Sequence, residues 1–157
     1  MKRSTLPITY GIIIAVGLIV YFMLLSLFGV QTKPVFSLGN GVIVALGLYT
    51  VMKRYKAEKG SNFEYQKGFM AGLLTGFNAT IIFTVFFAIY VTNINPDFLP
   101  MMLDNWSSHY HVGVGIVVFV AAIMGFATTF VLTLSFMQLF KDSWNVKKSP
   151  NSPPLKS

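Results

Sequence analysis

The sequence predicts an all-α integral membrane protein, a bundle of four transmembrane helices with both the N-terminus and the C-terminus cytoplasmic. Three observations carry this. First, only 12 Lys plus Arg and 5 Asp plus Glu occur among 157 residues, or 11% of the chain, against about 25% in an average soluble domain. Second, four runs without a charge, residues 8–30, 35–52, 68–92 and 112–140, hold 23, 18, 25 and 29 residues. About 20 mostly apolar residues carry a helix across the ~30 Å hydrocarbon core, and lipid forces each span to satisfy its backbone internally. Third, the cations alternate. Lys2 and Arg3 precede the first run; Lys53, Arg54, Lys56, Lys59 and Lys67 follow the second; Lys141, Lys147, Lys148 and Lys156 follow the fourth. Only Lys33 lies on the other side, so the positive-inside rule sets the orientation.

Taken in order, the first run follows Lys2 and Arg3, which imitate the basic start of a signal peptide. It exceeds the usual apolar core of about 7–15 residues, and no small-x-small cleavage site follows, so a retained helix is expected. Four residues, 31–34, join it to the second run as a tight hairpin, with Pro34 suited to a helix start. The loop 53–67 carries five cations and two carboxylates, which read as topology determinants and headgroup anchors worth ~1 kcal/mol each. After the third run, Asn95 reads as an N-cap, Pro96 as the first helical residue and Asp97 as a first-turn anion. Phe98, Met101, Met102 and Trp106 then predict a short segment on the outer membrane surface, or a docking face for a partner. The fourth run closes a single domain, residues 1–141. The tail 142–157, with Pro150, Pro153 and Pro154 among Ser and Asn, is expected to be disordered.

Lipid tails are as apolar as leucine, so helix association needs close packing. The third helix offers Gly68, Gly72 and Gly76 at spacing four. The fourth offers Ala121, Gly125 and Thr129, the second Gly41 and Ala45, and the first Gly11 and Ala15. These faces are expected to meet inside one bundle; the rival reading is a homodimer seam on the third helix. Asn40 and Asn78, the most polar residues in the spans, are expected to make interhelical hydrogen bonds, or else to line a polar path. Thr128, Thr129, Thr133 and Ser135 are expected to bond their own helix carbonyls.

Several classes are disfavoured. Without Cys there is no disulfide, thiolate metal site or Cys nucleophile. The net charge of +7 is absorbed by topology, so no nucleic acid is expected. No Asp, Glu, Lys, Arg or His lies mid-span, where coupled carriers place such groups. No catalytic motif is present, and no catalytic residue or cofactor is predicted. The outer loop holds Asp97, Asp104, His109 and His111, but this spacing is unspecific for a metal, and Tyr110 and His111 read as interfacial residues.

Some residues carry a resemblance. Tyr10-Gly11 opens the first helix and Lys53-Arg54-Tyr55-Lys56 closes the second. Phe63-Glu64-Tyr65-Gln66-Lys67-Gly68-Phe69-Met70-Ala71-Gly72 leads into the third, and Ile94-Asn95-Pro96-Asp97-Phe98 follows it. Over roughly residues 6–141 this set resembles a bacterial family of small four-helix membrane proteins, domain-of-unknown-function family 4199. The outer loop here is shorter than in many members. The resemblance implies an inner-membrane location and supplies no activity or site residues. The expected role is a non-catalytic membrane subunit or interaction protein, whose partners are membrane lipids and another membrane protein or a second copy. The alternative is a small homo-oligomeric transporter or channel with a polar path near Asn40 and Asn78.

Overall fold

The computed structural model describes residues 5–30, 33–60, 63–103 and 113–140. In chain order they form α1 (Leu6–Leu27), α2 (Pro34–Lys59), α3 (Tyr65–Ile89), a π turn (Tyr90–Ile94), α4 (Phe98–Leu103) and α5 (Val114–Leu139). Among the described residues all regular structure is helical, and four helices are long and apolar enough to cross a membrane. The fold is therefore the all-α bundle the apolar runs predict.

Two helices outrun their apolar stretches. α2 continues past Met52 through Lys53, Arg54, Lys56 and Lys59, because Lys, Arg, Glu and Ala are strong helix formers. Lys56 and Lys59 stand in its last turn, where they complement the helix dipole. Gly60 ends it at φ +51°, a conformation open to glycine at no steric cost. α3 starts at Tyr65 and runs through the π turn to Ile94.

α3 is the hub, with α1, α2 and α5 all lying against it. Small residues make the approach close. A Cβ added at Gly11 of α1 would lie 2.9 Å from the Thr75 carbonyl oxygen and 2.8 Å from Asn78 Cβ. Toward α5, a Cβ at Gly68 would lie 3.3 Å from Met137 Cε, and one at Gly72 would lie 2.8 Å from Thr133 Cγ2. One at Gly76 would collide with Thr129, and one at Gly125 would lie 2.6 Å from Thr80 Cγ2. Thr129, Thr133 and Met137 are the buried residues of α5, so its buried contact with α3 is one stripe at spacing four. Ala121 continues this side, packed against the aromatic cluster around Phe87 and Tyr90. α1 and α2 meet through Gly17 against Ile43, Gly47 against Ile14 and Gly39 against Tyr21. Gly41 departs from this pattern, since nothing lies within 4 Å of a Cβ built there. Spacing marks a residue as small, but the lean of the helix decides whether a neighbour covers it.

The core falls into three levels. Leu6, Tyr10, Val51, Met52, Phe63, Phe69, Phe136, Met137 and Phe140 pack near the basic end. Ile14, Ala15, Leu18, Ile43, Val44 and Ala79 fill the middle. The far end is aromatic and is built by α1, α3, α4 and α5 without α2.

Candidate functional site

At the far end, one residue brings polarity into the apolar core. Tyr90 is 2% exposed and opens the π turn, where the Asn95 N–H donates to the Tyr90 carbonyl at 2.8 Å. The Tyr90 Oη lies 2.6 Å from Ser26 Oγ and accepts from Asn95 Nδ2 at 3.3 Å. A buried phenol costs free energy unless its hydroxyl is bonded; here it ties α1, α3 and the turn before α4 together. Phe22 stands at the centre, edge-on to Tyr90 with centroids 4.9 Å apart. It also meets Phe87 at 5.8 Å and Phe98 at 6.0 Å, both edge-on. Such rings hold orientation as well as area. π turns concentrate at functional sites, which makes this cap a candidate.

The sequence-based expectations need two corrections here. Asn95 does not cap α4 with its side chain. Its amide goes to Tyr90, while its carbonyl accepts the Phe98 N–H at 3.1 Å. Nor does all of the 98–103 segment face outward. Phe98 and Leu99 are buried in the cap, because an open aromatic cup offers them more contact than an interface does; Met101 stays exposed. The sequence held one pointer to Tyr90, a Tyr at the end of an apolar run followed by Thr92, Asn93, Asn95 and Pro96. Ser26 gave no signal.

The two amides are not brought together. Asn78, half-buried, donates from Nδ2 to its own helix's Leu74 carbonyl at 2.8 Å, so it makes an intrahelical bond. It sits level with Gly11 of α1, whereas Asn40 follows Gly39, level with Tyr21. Ten residues of α1 separate these levels, about 15 Å of helix. Asn40 Oδ1 is buried without a hydrogen-bond partner among the described residues.

Thr128 and Ser135 bond the Met124 and Val131 carbonyls, both at 2.8 Å. Thr129 and Thr133 do not follow. Their Oγ1 atoms are buried without a hydrogen-bond partner among the described residues, turned toward Gly76 and Gly72. Close backbone approach allows weak Cα–H···O contacts there.

The basic end is ordered by rings. The Arg54 guanidinium lies 5.9 Å from the Tyr10 centroid, Lys56 Nζ 5.6 Å from Phe63, and Lys59 Nζ 5.8 Å from Tyr55. Lys56 also donates to the Phe140 carbonyl at 2.9 Å, completing the end of α5, and Lys67 pairs with Glu64 at 2.6 Å. Of the six described cations, these four and Lys53 stand at this end, and Lys33 at the other. Lys2, Arg3, Lys141, Asp104, Trp106, His109, Tyr110, His111 and the tail 142–157 lie outside the described residues, so the metal, interfacial and disorder readings made on them do too.

No curated protein and no solved structure gives a significant match to the chain. A family model described as protein of unknown function (DUF4199) matches residues 9–111, about two thirds of the sequence. The match spans α1 to α4 and ends before α5. With its residue motifs and this match agreeing, the chain belongs to the DUF4199 family of proteins of unknown function.

Proposed function

We propose that the protein is a non-catalytic subunit or interaction protein of the bacterial inner membrane, with its basic end and both termini in the cytoplasm. The observation that supports this reading is where its intramembrane polar groups go. Thr50, Thr75, Asn78, Thr92, Thr128 and Ser135 each bond a carbonyl one turn earlier in their own helix. Groups satisfied within their own helix have no open polar face to offer a solute, and the contacts between helices are left to small-residue packing. α5 fits the same role. It rests on α3 by one stripe and leaves Ile116, Phe119, Val120, Ile123 and Met124 exposed, an apolar surface that accepts lipid or a partner helix.

The test is mild extraction of a tagged copy from its native membrane, followed by quantitative mass spectrometry. A membrane protein recovered at fixed stoichiometry is expected. A clean homo-oligomer that conducts a solute in liposomes would contradict the subunit reading. That second reading, a transporter or channel, draws on Asn40 Oδ1, which has no hydrogen-bond partner among the described residues. It requires Asn40→Leu or Asn78→Leu to abolish flux.

A further inference from the structure

The last two turns of α2 carry Lys53, Arg54, Lys56 and Lys59 against Glu58 alone. Lys56 and Lys59 turn toward the rings of Phe63 and Tyr55. Lys53 and Arg54 are exposed, and Arg54 lies over Tyr10 of α1, which fixes it at the α1–α2 seam. Exposed apolar side chains on both helices lead to this pair. On α2, Val42, Leu46, Thr50 and Lys53 share one face by their spacing, with Val42 57% and Leu46 63% exposed. On α1, Ile13 and Val20, 57% and 53% exposed, flank the residues Tyr10, Ile14, Gly17 and Tyr21 that meet α2. Both flanks of the seam are thus mainly apolar along the span, and they end at two adjacent cations.

We infer that the α1–α2 seam seats an anionic phospholipid, its phosphate at Lys53 and Arg54 and an acyl chain along Val42, Leu46, Ile13 and Val20. The ligand class follows from charge complementarity joined to these apolar flanks. A guanidinium held against a ring keeps its N–H edge free to donate, and that fork matches phosphate oxygens two at a time. The ammonium of Lys53 adds a second, adjustable donor. An apolar track of this length beside the phosphate seat selects a lipid over a soluble phosphate. This seat is independent of whether the protein has a protein partner.

The full chain, purified in dodecylmaltoside, is mixed with micelles holding equal phosphatidylglycerol and phosphatidylethanolamine, and native mass spectrometry counts the lipid retained. Phosphatidylglycerol is expected to be retained at least about tenfold over phosphatidylethanolamine. At ~1 kcal/mol per interfacial cation, Lys53→Gln with Arg54→Gln lowers that retention about thirtyfold. Lys67→Gln removes one charge away from the seam, the match of Lys53→Gln alone, and leaves retention within about twofold. Should the double variant lose its cooperative melt, Lys53→Gln alone reads the loss at about fivefold. Equal retention of the two lipids overturns the inference. So does a loss in Lys67→Gln equal to that in Lys53→Gln, which would reduce the effect to general attraction at the basic end. Displacement of the lipid by millimolar inorganic phosphate would assign the cations to a soluble anion and overturn it as well.

Discussion

Replacing Gly76 with Ala tests the packing of the hub directly. The added Cβ would meet Thr129 Cγ2 and Oγ1 inside contact distance and Thr129 Cβ at 2.8 Å. Carbon atoms rest at about 3.5–4.0 Å, so α5 must withdraw by roughly 1 Å at this level. Turning the Thr129 side chain gives little relief, because its Cβ is itself too close. Withdrawal also loosens Gly72 against Thr133 and Gly125 against Thr80, which lie on the same stripe. Overpacking of this kind costs about 1–3 kcal/mol, while Ala in place of Gly in a helix returns about 0.5–1 kcal/mol. A net loss of about 1–2 kcal/mol is expected, read by equilibrium unfolding in mixed dodecylmaltoside–SDS micelles and followed by circular dichroism. Gly41→Ala is the matched control. Nothing lies near its Cβ, so it should leave stability unchanged or raise it by up to about 1 kcal/mol. Adding Thr129→Ala to Gly76→Ala removes two of the three clashing atoms and should restore about 1 kcal/mol, a coupling typical of residues in contact. If Gly76→Ala proves as stable as Gly41→Ala, or the second substitution brings no relief, the close α3–α5 approach is refuted.

Other perturbations separate the levels of the bundle. Tyr90→Phe keeps the ring and strips the hydroxyl from Ser26 and Asn95, for a loss of about 1–2 kcal/mol in the same unfolding assay; unchanged stability would mean that the hydroxyl cluster ties nothing. Phe98→Ala empties the aromatic cup, with a loss of about 3 kcal/mol and faster amide exchange confined to residues 95–103, whereas exchange rising uniformly would show that α4 is not docked by that ring. Asn78→Leu should change stability by less than about 1 kcal/mol, because its amide serves only its own helix; a collapse of folding would reveal a partner across the bundle.

The four spans were legible because lipid imposes a length and an apolarity that few soluble helices meet, and residues 8–30 or 112–140 fit little else. Gly72, Gly76, Gly125 and Thr129 were legible as small residues on helical faces. Which neighbour each would meet was not, since spacing carries no information on helix order or tilt, and Gly41 shows the consequence. Helix ends were blurred where charged helix formers continue α2 beyond the apolar core. The aromatic cap was hidden for a different reason. Phe22, Phe87 and Phe98 lie far apart in sequence and look like any lipid-facing phenyl group. The π turn at Tyr90, closed by the Asn95 N–H on the Tyr90 carbonyl, is not announced by residue type alone. Thr129 and Thr133 differ from Thr128 only in facing glycine.

The proposed topology, four spans with the basic end inside, can be measured directly because the chain has no Cys. Single cysteines at Lys33, Lys59 and Asp97 are exposed to a membrane-impermeant maleimide in intact cells and again after permeabilisation. The proposed topology predicts labelling of Lys33→Cys and Asp97→Cys in intact cells, and of Lys59→Cys only after permeabilisation. Labelling of Lys59→Cys in intact cells, or protection of Asp97→Cys there, would contradict it.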